Sequence, residues 1–160
     1  MLNINYILGA IISFTSLTVQ AEVNWKSLNL DNAIVEKKGN GKKQIAIITD
    51  TGCGYCRQLE QQLQPISNVT IYRFLAPFRG SKSEAISIWC ANDRNQALKN
   101  KMLHNQSPIL KQCSNPLQTN INMAYRLNII GTPMLIKPNG DVNYAMSSSQ
   151  EIVDWLNQHN

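Results

Sequence analysis

A Cys-Gly-Tyr-Cys tetrapeptide at residues 53–56, set between the apolar run Ile45-Ala46-Ile47-Ile48 and a helix-forming stretch, constrains this chain more than any other feature. Two thiols separated by two residues at the first turn of a helix are close enough to join as a disulfide with little backbone movement. The helix N-terminus carries a partial positive charge and free backbone N–H groups, both of which favour a thiolate over a thiol. Cys53 is therefore expected to have a depressed pKa and to act as the nucleophile. Cys56, one turn further in and more buried, is expected to attack back on a mixed disulfide and resolve it.

The same spacing also supplies half of many zinc sites. A structural zinc site needs a second pair at similar spacing, yet Cys90 and Cys113 are isolated and the only histidines are His104 and His159. No metal and no cofactor are expected. Four cysteines in an exported chain divide instead into one reactive pair and one structural pair, Cys90 with Cys113. Such a bridge would close a loop of roughly two dozen residues and stabilise the fold by about 3 kcal/mol. The alternative is that both are buried free thiols packing as small hydrophobes. That suits Cys90 within Ile86-Ser87-Ile88-Trp89-Cys90-Ala91 better than it suits Cys113 beside Ser114-Asn115-Pro116.

Export is expected from residues 6–19, an uncharged and largely apolar stretch followed by Val19-Gln20-Ala21, a small-residue cleavage site before Glu22. The stretch is broken by Ser13, Thr15, Ser16 and Thr18 and is short for a spanning helix, so cleavage after Ala21 is expected rather than an anchor. Removal of residues 1–21 from 160 leaves 139, enough for one domain with a real core. No stable membrane insertion is expected after cleavage. The net charge of +5 includes Lys37, Lys38, Lys42 and Lys43 around Gly39-Asn40-Gly41. A solvated glycine-rich turn accounts for that cluster, and an exported protein rarely meets nucleic acid, so no nucleic-acid partner is expected.

Strand-like and helix-like runs alternate without internal repeats, which argues for a single α/β domain. Strands are predicted at 33–37, 44–49 and 69–75, with a helix at 55–64 stopped by Pro65. Helices follow at 83–90, 95–104 and 120–127, with Asn92-Asp93 supplying cap or turn chemistry. Gly131-Thr132-Pro133 then introduces a hairpin of strands 134–137 and 142–145 around Pro138-Asn139-Gly140-Asp141. A helix at 149–158 closes the domain with Ile152, Val153, Trp155 and Leu156 on one face.

A C-x-x-C after a buried strand, a helical insertion, and Thr-Pro before a terminal hairpin and helix resemble a thioredoxin fold. More narrowly, Thr49-Asp50-Thr51-Gly52-Cys53-Gly54-Tyr55-Cys56 and Ile88-Trp89-Cys90-Ala91-Asn92-Asp93-Arg94-Asn95-Gln96-Ala97 resemble the DsbC family of periplasmic disulfide isomerases, with its relative DsbG. The likeness runs from about Ala33 to the C-terminus. It implies an α/β thioredoxin-like fold with a helical insertion, in which Cys90 pairs with Cys113. It also implies that Pro133 is cis, faces the cysteine pair, and presents the backbone of Thr132 to an extended substrate chain. Thr132, Pro133, Gly54 and Tyr55 become substrate-contact candidates. An ordinary trans proline at a strand start is the alternative for Pro133.

Gly54-Tyr55 contains neither a histidine to stabilise the thiolate nor a proline to stiffen the helix start, unlike the Pro-His of oxidase-type relatives. The pair is therefore expected to favour reduction or isomerisation. Asp50 could relay protons to Cys56 or cap the following turn. Capping is the simpler role, and Asp50 stays outside the catalytic set.

The family's N-terminal dimerisation domain has no counterpart in residues 22–32, which are expected to be a linker before a catalytic domain at 33–160. A monomer is the corresponding expectation. The reading is a periplasmic thiol-disulfide oxidoreductase that reduces or isomerises non-native disulfides in exported proteins and draws electrons from a membrane-borne thiol donor. A monomeric oxidase and a non-catalytic binding module using the Thr132-Pro133 face are the alternatives, and a metal carrier is a third.

Overall fold

The chain is described from a computed structural model that covers residues 22–144 and 148–158. The expected signal segment 1–21 and Ala145, placed in a strand by sequence, lie outside the described residues. In chain order the elements are β1 (Ile34–Lys38), β2 (Lys43–Thr49), α1 (Gly54–Leu63), β3 (Val69–Leu75), α2 (Lys82–Trp89), α3 (Arg94–His104), α4 (Leu117–Arg126), β4 (Met134–Ile136), β5 (Val142–Asn143) and α5 (Ser149–Asn157).

Strand β2 lies at the centre because it has no polar face to give to water. Ile45, Ala46, Ile47 and Ile48 are all fully buried. Successive side chains of an extended strand point to opposite faces. Ile45 and Ile47 therefore join Leu59 and Leu63 of α1 and Ile152 and Trp155 of α5. Ala46 and Ile48 join Phe74, Met134 and, from α4, Met123 and Ala124. β2 pairs parallel with β3 on one side and antiparallel with β4 on the other. β1 and β5 add antiparallel edges, so the sheet order is β1-β3-β2-β4-β5.

The lysine-rich turn thus joins two strands that are not neighbours, since β3 lies between them. Its Gly39 and Gly41 carry φ of 59° and 64°, a conformation open to glycine at little cost. Lys38 Nζ donates to the carbonyls of Leu63 and Gln64 at 2.6 and 2.7 Å, placing a cation at the negative end of α1.

Residues 23–30 pack on the domain: Leu28 is buried in the core and Trp25 stands edge-on to Tyr72 at 6.0 Å. Helix starts follow local chemistry. Ser81, Asp93 and Ser148 cap α2, α3 and α5 by accepting from the backbone N–H of Glu84, Gln96 and Glu151. Helix α4 begins at Leu117, three residues before the sequence-based start, because Pro116, whose fixed φ and missing N–H cost little there, opens it.

One polar network crosses the core. Arg73, on β3 and 1% exposed, donates to both carboxylate oxygens of Glu60 at 2.7 and 3.0 Å and lies 2.9 Å from Glu36. Lys99 completes the pairing on Glu36. The network ties α1 to β3, β1 and α3, so loss of one member would strand a buried charge at a cost of about 3–5 kcal/mol.

Candidate active site

Beyond Thr49 the chain must turn from a buried strand into a helix, and Asp50 organises that turn. Its carboxylate is buried and accepts three backbone N–H groups: Gly52 at 2.9 Å, Gly80 at 3.0 Å and Arg79 at 2.6 Å. Asp50 is thus the cap foreseen from sequence, but it also clasps a second loop that follows β3. The two loops meet without side chains between them, since a Cβ on Gly52 would lie 2.5 Å from Gly80 Cα.

This turn delivers Cys53 to the N-cap of α1, with φ −92° and ψ 123°. Cys53 keeps 8% of its surface exposed, whereas Cys56 on the first turn is fully buried, and both are free thiols. Tyr55 between them is 73% exposed. Facing the pair is the loop before β4, where the Thr132–Pro133 peptide is cis, as the resemblance implied. The Cys53 thiol donates to the Thr132 carbonyl at 3.2 Å.

Those surroundings divide the two sulfurs. Burial pushes the Cys53 thiol up, but the Thr132 side chain, the N–H groups of Cys56 and Tyr55, and the Cys56 thiol all favour the anion, and the balance lies below the ordinary thiol value. Burial dominates at Cys56 and pushes it up to about 12, with the neighbouring Cys53 charge adding to the rise. Cys53 is therefore the more acidic thiol of the pair and Cys56 the one that holds its proton.

Cys53, Gly54, Tyr55 and Thr132 line one open hollow of about 430 Å³, together with Gly52, Gln58 and Arg79. Pro133 is buried behind Thr132. A larger hollow of about 570 Å³ beside Lys42, Lys43 and Pro65 carries no thiol. Cys90 and Cys113 lie apart from the site and are bridged, with Cα atoms 5.8 Å apart, which removes the free-thiol alternative for that pair. Among the described residues no group of three or more His, Cys, Asp or Glu could hold a metal ion. Arg79 and Gln58 belong to no motif in the sequence. Arg79 is brought to the hollow by the Asp50 clasp across about 30 residues, and the signal available in sequence was the pair of glycines, Gly52 and Gly80, needed where two backbones touch.

A dithiol at a helix start, opposed by a cis-proline loop on a mixed five-stranded sheet, defines a thioredoxin-like protein. The chain belongs to the thioredoxin-like domain family, whose model matches residues 30–160. It is 33% identical over 129 residues to the probable thiol:disulfide interchange protein DsbC of Bordetella pertussis, covering 79% of this chain and 46% of that protein. It is 30% identical over 132 residues to the thiol:disulfide interchange protein DsbC of Escherichia coli K12, covering 79% and 56%. The chain thus spans about half the length of these relatives. The crystal structure of a disulfide interchange protein from Neisseria gonorrhoeae superposes with a TM-score of 0.77 at 29% identity, covering 82% of this chain and 97% of that one.

Proposed function

We propose that this chain is a thiol-disulfide oxidoreductase that reduces or isomerises non-native disulfides in exported proteins. One observation carries the reading: Cys53 is favoured as an anion, sits at the rim 3.2 Å from the Thr132 carbonyl, and lies over a fully buried Cys56. The similarity to thiol:disulfide interchange proteins supports the same chemistry.

In the proposed cycle the Cys53 thiolate attacks one sulfur of a client disulfide. A Cys53–client S–S bond forms, the client S–S bond breaks, and the second client sulfur leaves as a thiolate that takes a proton from solvent. Consumption of the Cys53 charge removes one of the contributions holding Cys56 protonated, which eases its attack on the mixed disulfide. That attack releases the client as a dithiol and leaves Cys53–Cys56 oxidised. Isomerisation results when a different client thiolate attacks the client sulfur of the mixed disulfide first, forming a new client S–S bond and releasing Cys53 as a thiolate. The backbone of Thr132 is the proposed dock for an extended client segment, with Gly54 and Tyr55 contributing the opposite rim.

A periplasmic location is part of the proposal, supported by the signal segment expected from sequence. Among the described residues no helix is long and apolar enough to cross a membrane. Sustained reduction needs an electron donor, for which a membrane-borne thiol protein is the proposed partner, and a monomer is the proposed working form. The test equilibrates purified protein with glutathione redox buffers and measures refolding of a scrambled-disulfide substrate, with Cys53→Ser as control. Cys53-dependent exchange with rescue of the substrate supports isomerisation, and exchange without rescue supports reduction alone. Failure to exchange with glutathione would end the enzymatic reading.

A further inference from the structure

The wall of the Cys53 hollow contains one cation and no carboxylate, its lining being Gly52, Cys53, Gly54, Tyr55, Gln58, Arg79 and Thr132. Three other arginines are engaged: Arg73 by Glu60 and Glu36, Arg94 by the Trp89 carbonyl and ring, Arg57 by Asn105, while Arg126 lies at the end of α4 outside the hollow. Arg79 is exposed, and among the described residues its guanidinium has neither a carboxylate nor a hydrogen-bond partner. We propose that Arg79 forms an anion subsite beside Cys53 and selects disulfides that carry a carboxylate close to the reacting S–S bond. The proposal rests on the exchange chemistry proposed above and names its preferred substrate class.

Three features make this more than a surface charge. The Arg79 backbone is fixed relative to the nucleophile, because its N–H and that of Gly80 donate to the same Asp50 carboxylate that holds the Gly52 turn. On the other side Phe78 stacks edge-on to Tyr125 at 5.7 Å, so the residue before Arg79 is anchored too. A side chain on a pre-set backbone gives up less freedom on binding, and a guanidinium pairs with a carboxylate through two parallel hydrogen bonds. The N-terminus of the ten-residue helix α1 opens into the same hollow with the same sign of field. A carboxylated substrate meets two positive features, set against the Cys53 thiolate in the hollow and the buried Asp50 carboxylate, whose oxygens are taken up by three backbone N–H groups.

The step itself is unchanged: the Cys53 thiolate bonds to the nearer substrate sulfur, and the farther sulfur leaves with the electron pair and is protonated by solvent. Arg79 is a specificity residue that holds the flanking carboxylate while this occurs. Oxidised glutathione and a protein disulfide flanked by aspartate or glutamate share this chemistry.

The test measures rates of reduction by the full reduced chain of a neutral disulfide, bis(2-hydroxyethyl) disulfide, an anionic one, dithiodipropionate, and a cationic one, cystamine. Oxidised glutathione and two cystine peptides flanked by Asp or by Lys distinguish the sources. Each rate is divided by that of free cysteine with the same disulfide. The corrected anionic-to-neutral ratio is expected to exceed one by about three- to tenfold at low salt and to fall as salt is added. Arg79→Gln is expected to bring the ratio close to one, whatever its effect on the neutral rate, and Arg79→Lys to restore part of the preference. A preference shared by the Asp-flanked peptide assigns the subsite to client proteins; one confined to glutathione assigns it to small thiols. A ratio unaltered by Arg79→Gln, or no anionic preference in the unsubstituted chain, overturns the subsite while leaving the exchange chemistry standing. No reaction with the neutral disulfide overturns both.

Discussion

Cys90 and Cys113 stand 23 residues apart in sequence and are joined at the rim of the helical insertion, Cys113 exposed to solvent. Cys53 and Cys56 stand one helical turn apart, are both buried, and are both reduced. The first pair ties an irregular segment back to α2: Lys111 N–H donates to Ser87, and Ser107 donates to Glu84, so the bridge shares its work with hydrogen bonds. The second pair has unequal members, one sulfur at the rim facing helix N–H groups and the other fully buried. One pair is placed to hold chain segments and the other to hold charge. In the proposed chemistry, reactivity follows from unequal environments rather than from the presence of two cysteines.

The sharpest way to break that contrast is to remove the reactive sulfur. Cys53→Ser should reduce exchange with small disulfides by about a thousandfold or more, while unfolding midpoints in denaturant change little. Cys56→Ser should retain the first attack and accumulate a mixed disulfide, visible as a mass increase on Cys53. Removing the other pair should do the reverse. The double variant Cys90→Ser/Cys113→Ser should lose about 3 kcal/mol of stability by urea unfolding and keep its exchange rate per folded molecule.

Asp50→Asn probes the scaffold under the reactive pair. Losing a charged acceptor from three backbone donors should cost about 2 kcal/mol in the same unfolding assay and slow exchange, because the Cys53 turn and the Arg79 loop are no longer held together. The smallest effect is a shift along the pH axis. Alkylation of Cys53 by iodoacetamide should rise with pH through a midpoint below that of free cysteine, since the anion is the reactive form and its pKa is lowered. Cys56 should stay unreactive until far higher pH, its value being about 12.

Much of this was legible in local sequence. The strand at 69–75 matches β3, because Val69-Thr70-Ile71-Tyr72-Arg73-Phe74-Leu75 is bounded by chain-breaking residues. The turn or cap chemistry expected of Asn92-Asp93 takes the form of Asp93 capping α3. The helix at 149–158 was readable from its apolar stripe and ends one residue earlier. What escaped is long-range. Arg73 reads as one polar residue in a strand, and only the fold brings Glu60 and Glu36 to it. Lys38 reads as part of a solvated lysine cluster, yet it rests on the end of α1. Within the site, the cysteines and the Thr-Pro loop were recognisable as motifs. The Asp50 clasp on Arg79 and Gly80 was not, since no local pattern links residues about 30 apart.

The most direct measurement is mass spectrometry of the reduced chain quenched with acid after brief exposure to oxidised glutathione at neutral pH, using Cys56→Ser to hold the first intermediate. The account predicts a single glutathione adduct, mapped by proteolysis to Cys53, forming faster than the adduct on free cysteine per unit concentration. No adduct in Cys56→Ser, or an adduct on Cys56 when Cys53→Ser is treated alike, would contradict the assignment of Cys53 as the nucleophile.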